Sequence, residues 1–314
     1  MGKFNELCFG AVAILASSGA AMAETLTVSG WYAAEERSAS MLRSLSVDRF
    51  DGDEGPSLVY DIERKLRDAR DQDRAPYFDV KSRYAQVEGV VHGDVRVRLD
   101  NENFTRKAKR CPDDIYSTKC KDDVKIEVDL YCVRRIVSTA ANIRITRLSD
   151  DAVAYSRNLP GRHESESCEG ERKASDLDNV IATLLRRSAE EFVGQITPSA
   201  RTDAIRVRES RSGMSKADGK QMKALISATK KSAPAACAGW REMEARGVAH
   251  PTLRFNLGLC AESAGELETA LNYYRTLAVE SRNAEDAVAA VERIERRYAG
   301  EDDAAARKKG AGKP

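Results

Sequence analysis

Polar and apolar positions alternate differently in the two parts of this chain. From Leu42 to about Glu209 strand and helix periods are mixed, and beyond that every periodic segment has helical spacing. Leu42–Phe50 (LRSLSVDRF) reads as a strand, and Asp51-Gly52-Asp53-Glu54-Gly55-Pro56 as the turn after it. Leu58, Ile62, Leu66 and Ala69 share one helical face, which predicts a helix over 57–70 with Ser57 as its N-cap. Pro76–Val80 predicts a second strand. Val87–Leu99, Val124–Val137 and Ala140–Leu148 alternate and are rich in β-branched residues, and a turn at 148–153 leads into a strand ending near Tyr155. Val180, Leu184, Ala189, Phe192 and Val193 predict a helix over about 176–195, ended by Pro198, with Ile205–Arg208 as a last strand. This order predicts an α/β (α+β) domain with helices on a mixed sheet, spanning 24–209.

The segment Glu209–Asp218 (ESRSGMSKAD) is polar and aperiodic and reads as a linker, placed at 210–218. Helices are then predicted near 216–232, 233–246, 252–264, 267–280 and 284–298, giving an all-α domain over 219–300. The tail 301–314 is rich in charge and alanine and is expected to be disordered.

The first residues change the picture of where the chain works. Lys3, the ten-residue apolar run Leu7–Ala16 and the small-x-small triplet Ala21-Met22-Ala23 read as a signal peptide over 1–23, cleaved before Glu24. The apolar run is too short to span a bilayer, which takes about 20 residues, and no later segment is apolar enough, so no stable membrane insertion is expected. The expected location is periplasmic or extracellular. Cleavage removes Cys8 from the seven cysteines and leaves Cys111, Cys120, Cys132, Cys168, Cys237 and Cys260. Six cysteines in an exported chain favour disulfides; of fifteen connectivities, sequence neighbourhood favours Cys111–Cys120, Cys132–Cys168 and Cys237–Cys260. A net charge of +1 and an aromatic content of 6% supply neither the field nor the stacking platforms for nucleic acid.

In FNLGLCAESAGELETALNYYRTL the residues Leu257-Gly258, Gly265, Ala270 and Tyr274 stand at the spacing of a tetratricopeptide repeat. Ala236 and Trp240, one repeat length upstream, match the places of Ala270 and Tyr274. Residues 216–298 therefore resemble a short tetratricopeptide array. Arg254, Ala261 and Arg282 depart from the repeat pattern. The resemblance implies a concave face lined by Thr252, Phe255, Leu259 and Glu262 that receives a protein or peptide partner. The first half, through Leu45–Gly52, the helix 57–70, Tyr77–Val80 and Ile143–Asp151, resembles a domain found in three envelope components. These are the curli-secretion outer-membrane lipoprotein, the amino-terminal part of the Tol-system propeller protein, and lipoprotein activators of penicillin-binding proteins. That resemblance implies a docking role in cell-envelope assembly; the insert around Cys111–Cys120 and the missing lipid-anchor cysteine depart from it.

Candidate chemistry is sparse. His92 falls in a strand, His250 at a helix start, and His163 in the polar stretch GRHESESCEGE, read as an acidic solvated loop. No nucleophile elbow, zinc helix or phosphate loop is present, and DGDEG at 51–55 lacks the ligand spacing of a calcium loop. The expectation is a non-enzymatic binding protein, a scaffold or adaptor, with no catalytic residue, metal or cofactor. Its rivals are a hydrolase with a scattered site and a structural, oligomerising protein.

Overall fold

The computed structural model describes residues 24–311 except Tyr84, 172–174 and 281–283, so the segment 1–23 read as a signal peptide lies outside the described residues. In chain order the elements are β1 (Thr25–Tyr32), α1 (Arg37–Ser40), β2 (Ser44–Asp51), α2 (Gly55–Asp68), β3 (Asp79–Lys81), β4 (Gly89–Arg110), β5 (Ile126–Arg147), β6 (Val153–Cys168), α3 (Leu177–Ile196), β7 (Ser199–Arg206), α4 (Lys216–Ala228), α5 (Ala233–Ala245), α6 (Pro251–Ser263), α7 (Leu267–Glu280) and α8 (Glu285–Ala311). They form two compact units, each discontinuous in sequence: a helical unit ending at Ser29 and resuming over Thr202–Glu292, and a sheet unit of Gly30–Arg201 with Arg293–Pro314. The sequence reading, with one linker at 210–218, does not contain this interleaving.

The sheet unit is built on five strands in the order β3-β2-β4-β5-β6. β2 is parallel to β3 and β4, as expected for strands joined across a helix, and β4, β5 and β6 form an antiparallel meander. Leu45, Val47, Val91, Val95, Ala141, Ile143 and Ile145 face one side and bury Leu58, Ile62 and Leu66 of α2 and Leu184, Leu185 and Phe192 of α3. A register shift between Val47 and Phe50 brings Phe50 onto the same core side, against the two-residue alternation. Gly93 is needed there: a Cβ would stand 1.9 Å from the Asn142 carbonyl oxygen and 2.9 Å from the Phe50 ring. Helix α2 opens at Gly55 with Pro56 in its first turn, so Ser57 lies inside the helix and caps nothing.

Two strand predictions are corrected. β4 and β5 each run for 22 residues without a break, and β6 runs on to Cys168. The stretch GRHESESCEGE is therefore mostly strand, with Glu164 and Glu166 paired to Arg134 of β5 at 3.1 and 2.9 Å. The tail prediction is corrected as well. Helix α8 continues to Ala311, and buried Asp303 is clamped by Arg37 through bonds of 2.9 and 2.6 Å.

The fold class also needs correcting. Helices form close to the predicted spans, but the tetratricopeptide-like, all-α repeat domain is not what they build. β1 and β7 make a separate two-stranded sheet, and strand residues 25–29 and 202–206 belong to the same compact unit as α4–α7. Within it the Ser263 hydroxyl donates to the Thr27 carbonyl at 2.7 Å, and the Asn256 amide accepts from the Arg208 N–H and donates to its carbonyl, at 2.8 and 3.0 Å. Helix α6 thus has extended chain held against it.

Burial also sets the alkaline limit of the fold. Burial raises the Tyr155 phenol well above its ordinary range, and Glu36 adds to it. Tyr273 is pushed up to about 12, first by burial and then by its 2.8 Å hydrogen bond to Glu244. An unfolded tyrosine ionises near about 10, so above that pH the unfolded chain loses a proton the folded chain keeps, and stability falls as pH rises. We expect stability to be unaffected by these groups below about pH 9 and to decline beyond about pH 10, with their phenolate absorbance delayed to higher pH than that of a free tyrosine while the fold persists. Tyr273→Phe should lessen the decline; an unchanged alkaline slope would refute the assignment.

Candidate functional site

The predicted partner-binding residues come together on α6, but not at a surface. Thr252, Phe255, Leu259 and Glu262 are all buried, as is every residue from Phe255 to Glu262. Phe255 is 2% exposed, its ring centroid lies 5.5 Å from that of Tyr274, and the Arg208 guanidinium sits 4.7 Å from its centre. Glu262 accepts from the Tyr274 hydroxyl at 3.0 Å. Four buried side chains line no open face, so the groove assigned to these residues is not present.

The cysteines pair as their sequence neighbourhood suggests. Cys111–Cys120, Cys132–Cys168 and Cys237–Cys260 have Cα separations of 5.9, 4.0 and 5.7 Å. Three disulfides fit an exported protein, and among the described residues no helix is long and apolar enough to cross a membrane. Two of the three histidines have local roles. His250 caps α6 by accepting from the Thr252 N–H at 3.1 Å, and His92 meets the Thr146 hydroxyl across the sheet at 2.9 Å. Among the described residues no three His, Cys, Asp or Glu side chains are grouped to hold a metal ion.

Two features were not legible in sequence. The first is an arm. Beyond Asp94, β4 leaves β2 and pairs only with β5. Its far end, with the matching parts of β5 and β6, carries a small core of its own in which Phe104, Ala108 and Val128 pack on Leu130 and the Cys132–Cys168 bridge. Arg134 lies 5.4 Å over the Phe104 ring, and Arg106 and Arg110 both donate to Glu171. The opposite face of the arm continues the face that α2 and α3 cover near the strand roots. There Tyr131 is 68%, Leu99 42% and Val133 39% exposed, and the tip adds Ile115, Tyr116 and Val124.

The second feature is a cleft of about 280 Å³ in the sheet unit, bounded by α1, the 71–76 turn and the last turns of α8. Trp31, Tyr77 and Pro198 form part of its wall, and Arg43, Arg307 and Lys308 bring cations to it. Arg307 donates to the carbonyls of Ser40 at 2.7 Å and Leu42 at 3.0 Å and to that of Tyr77, and its guanidinium stacks 4.0 Å over the Tyr77 ring. Every partner it has is uncharged. Burial lowers its pKa, Arg43 pushes the same way, and Tyr77, Glu88 and Asp71 oppose them. Arg307 stands in the stretch read as a disordered tail, where only its charge was visible.

In sequence the chain matches no family of proteins and no curated protein. Its functional reading therefore rests on these residues and their geometry.

Proposed function

We propose that this is a non-enzymatic, exported protein of the cell envelope, working in the periplasm as a scaffold or adaptor, and that its arm is where a protein partner docks. The observation that carries this is that Tyr131, Val133 and Leu99 are exposed on one face of a disulfide-bridged three-stranded arm. Exposed aromatic and aliphatic side chains gathered on one face are costly to leave in water and suit a protein surface. The bridge and the Phe104 core hold this face in shape, so little ordering entropy is lost on docking. The envelope-domain resemblance of the first half points the same way.

The test is site-specific photo-crosslinking in cells. A crosslinking side chain at Val133 should trap a discrete partner, whereas one at Tyr60, more exposed but alone on α2, should not. Tyr131→Ser should cut the Val133 crosslink at least about tenfold, as loss of a central aromatic contact does, without shifting the melting temperature. Equal trapping at both positions, or a crosslink indifferent to Tyr131→Ser, would set the arm aside.

A further inference from the structure

The cleft carries an inference independent of the arm. Its two guanidiniums differ from the other arginines of the sheet unit that hold carboxylates, such as Arg37 on Asp303 and Arg157 on Glu36. Arg307 is held by three carbonyls and two aromatic rings, Tyr77 and Phe78, so its orientation is fixed while its charge meets no anion. The Arg43 guanidinium has no hydrogen bond or ion pair among the described residues; its backbone is what is engaged, the N–H donating to Glu88 at 2.5 Å and the carbonyl accepting from the Asp79 N–H at 2.8 Å. The third cation, Lys308, is already paired with Asp73 at 2.8 Å. Two guanidiniums without a carboxylate partner thus line one partly apolar cleft, whose wall also carries Asp71, Asp73, Asp79 and Asp303.

Each of these acids is held by a group other than Arg43 and Arg307. Asp71 accepts from the backbone N–H groups of Asp73 and Ala75 at 2.9 and 2.8 Å, Asp79 pairs with Lys81 at 3.4 Å, and Asp303 with Arg37. They nonetheless limit the charge a ligand can bring. A doubly charged phosphate would be repelled by them, whereas a single carboxylate matches a guanidinium fork in shape and charge. The volume lies just below the range of about 300–1,000 Å³ usual for small-molecule pockets, which limits the apolar body to about one aromatic side chain.

We propose that this cleft binds a small apolar carboxylate, with the anion received by Arg43 and Arg307 and its body against Trp31 and Tyr77. A free organic acid and the carboxyl end of a peptide share that chemistry. Titrations with 3-phenylpropanoate, its amide, and an N-acetylated tripeptide ending in free phenylalanine separate them, followed by Trp31 fluorescence and by calorimetry. We expect at least one acid to bind, and the amide to bind at least about tenfold more weakly, as loss of a charged hydrogen bond implies. Preference for the free acid marks a metabolite site, and preference for the tripeptide a chain-end site. Arg43→Gln should weaken binding about tenfold or more without changing the melting temperature, which keeps the test valid even where Arg307→Gln fails to fold. Trp31→Phe should abolish the fluorescence change and leave the calorimetric signal. No binding of either acid at millimolar concentration, equal binding of acid and amide, or indifference to Arg43→Gln overturns the proposal.

Discussion

Phe255→Ala is expected to lower the stability of the helical unit by about 3–5 kcal/mol, the usual range for emptying a buried phenylalanine site. The substitution removes the ring that packs on Tyr274 and beneath Arg208, inside a helix buried at every position from Phe255 to Glu262. Its neighbours cannot close the gap, because α6 is held on another side by the Asn256 bonds to the Arg208 backbone. Thermal unfolding should show a drop on the order of 10 °C or more. Had Phe255 lined an open groove, as the repeat spacing implied, the same substitution would leave the melting temperature nearly unchanged and affect only partner capture. A melting temperature within about 2 °C of wild type would restore that reading.

Removing the Cys237–Cys260 bridge, as Cys237→Ala with Cys260→Ala, should cost the same unit about 3 kcal/mol. The bridge closes a separation of 23 residues, and the chain-entropy relation gives that magnitude for a loop of this length. Both cysteines are buried, so alanine also leaves small cavities and adds to the loss. Denaturant unfolding under non-reducing conditions measures the difference directly. Wild type brought to the same midpoint by reductant would show that the effect belongs to the covalent link. An unchanged midpoint in the alanine variant would show that α5 and α6 are held together without it.

How much of this was open to sequence reading depended on how local each feature is. Helix α2 was legible because Leu58, Ile62 and Leu66 fall on one face and all three are buried. Helix α3 was legible for the same reason, and the breaks at Pro198 and Gly265 are local backbone chemistry. The disulfides were legible because each joins cysteines that are neighbours among the six in sequence. Helix α6 was misread because the small and aromatic residues of FNLGLCAES that match a repeat are also what a fully buried helix requires. Gly258 is an instance, since a Cβ there would stand 2.8 Å from the Tyr274 ring whichever architecture surrounds it.

The arm was read as separate strands because its outer half, Asn101–Arg110, is polar apart from Phe104 and Ala108, too few apolar positions to reveal a strand. Its backbone stays extended because β5 satisfies its hydrogen bonds and the Cys132–Cys168 bridge fixes β5 to β6. The cleft was out of reach for a related reason. Arg43 and Arg307 are 264 positions apart, and nothing in either neighbourhood distinguishes them from solvated arginines. Sequence by itself determined the period of the elements with a clear apolar face, the turns at Pro198 and Gly265 and the oxidised pairing, because those depend on residues close along the chain. Tertiary structure alone decided that α6 is core instead of a binding face, that the charged tail is an anchored helix, and that two distant guanidiniums share one cleft, because burial and charge pairing depend on what the rest of the chain brings alongside.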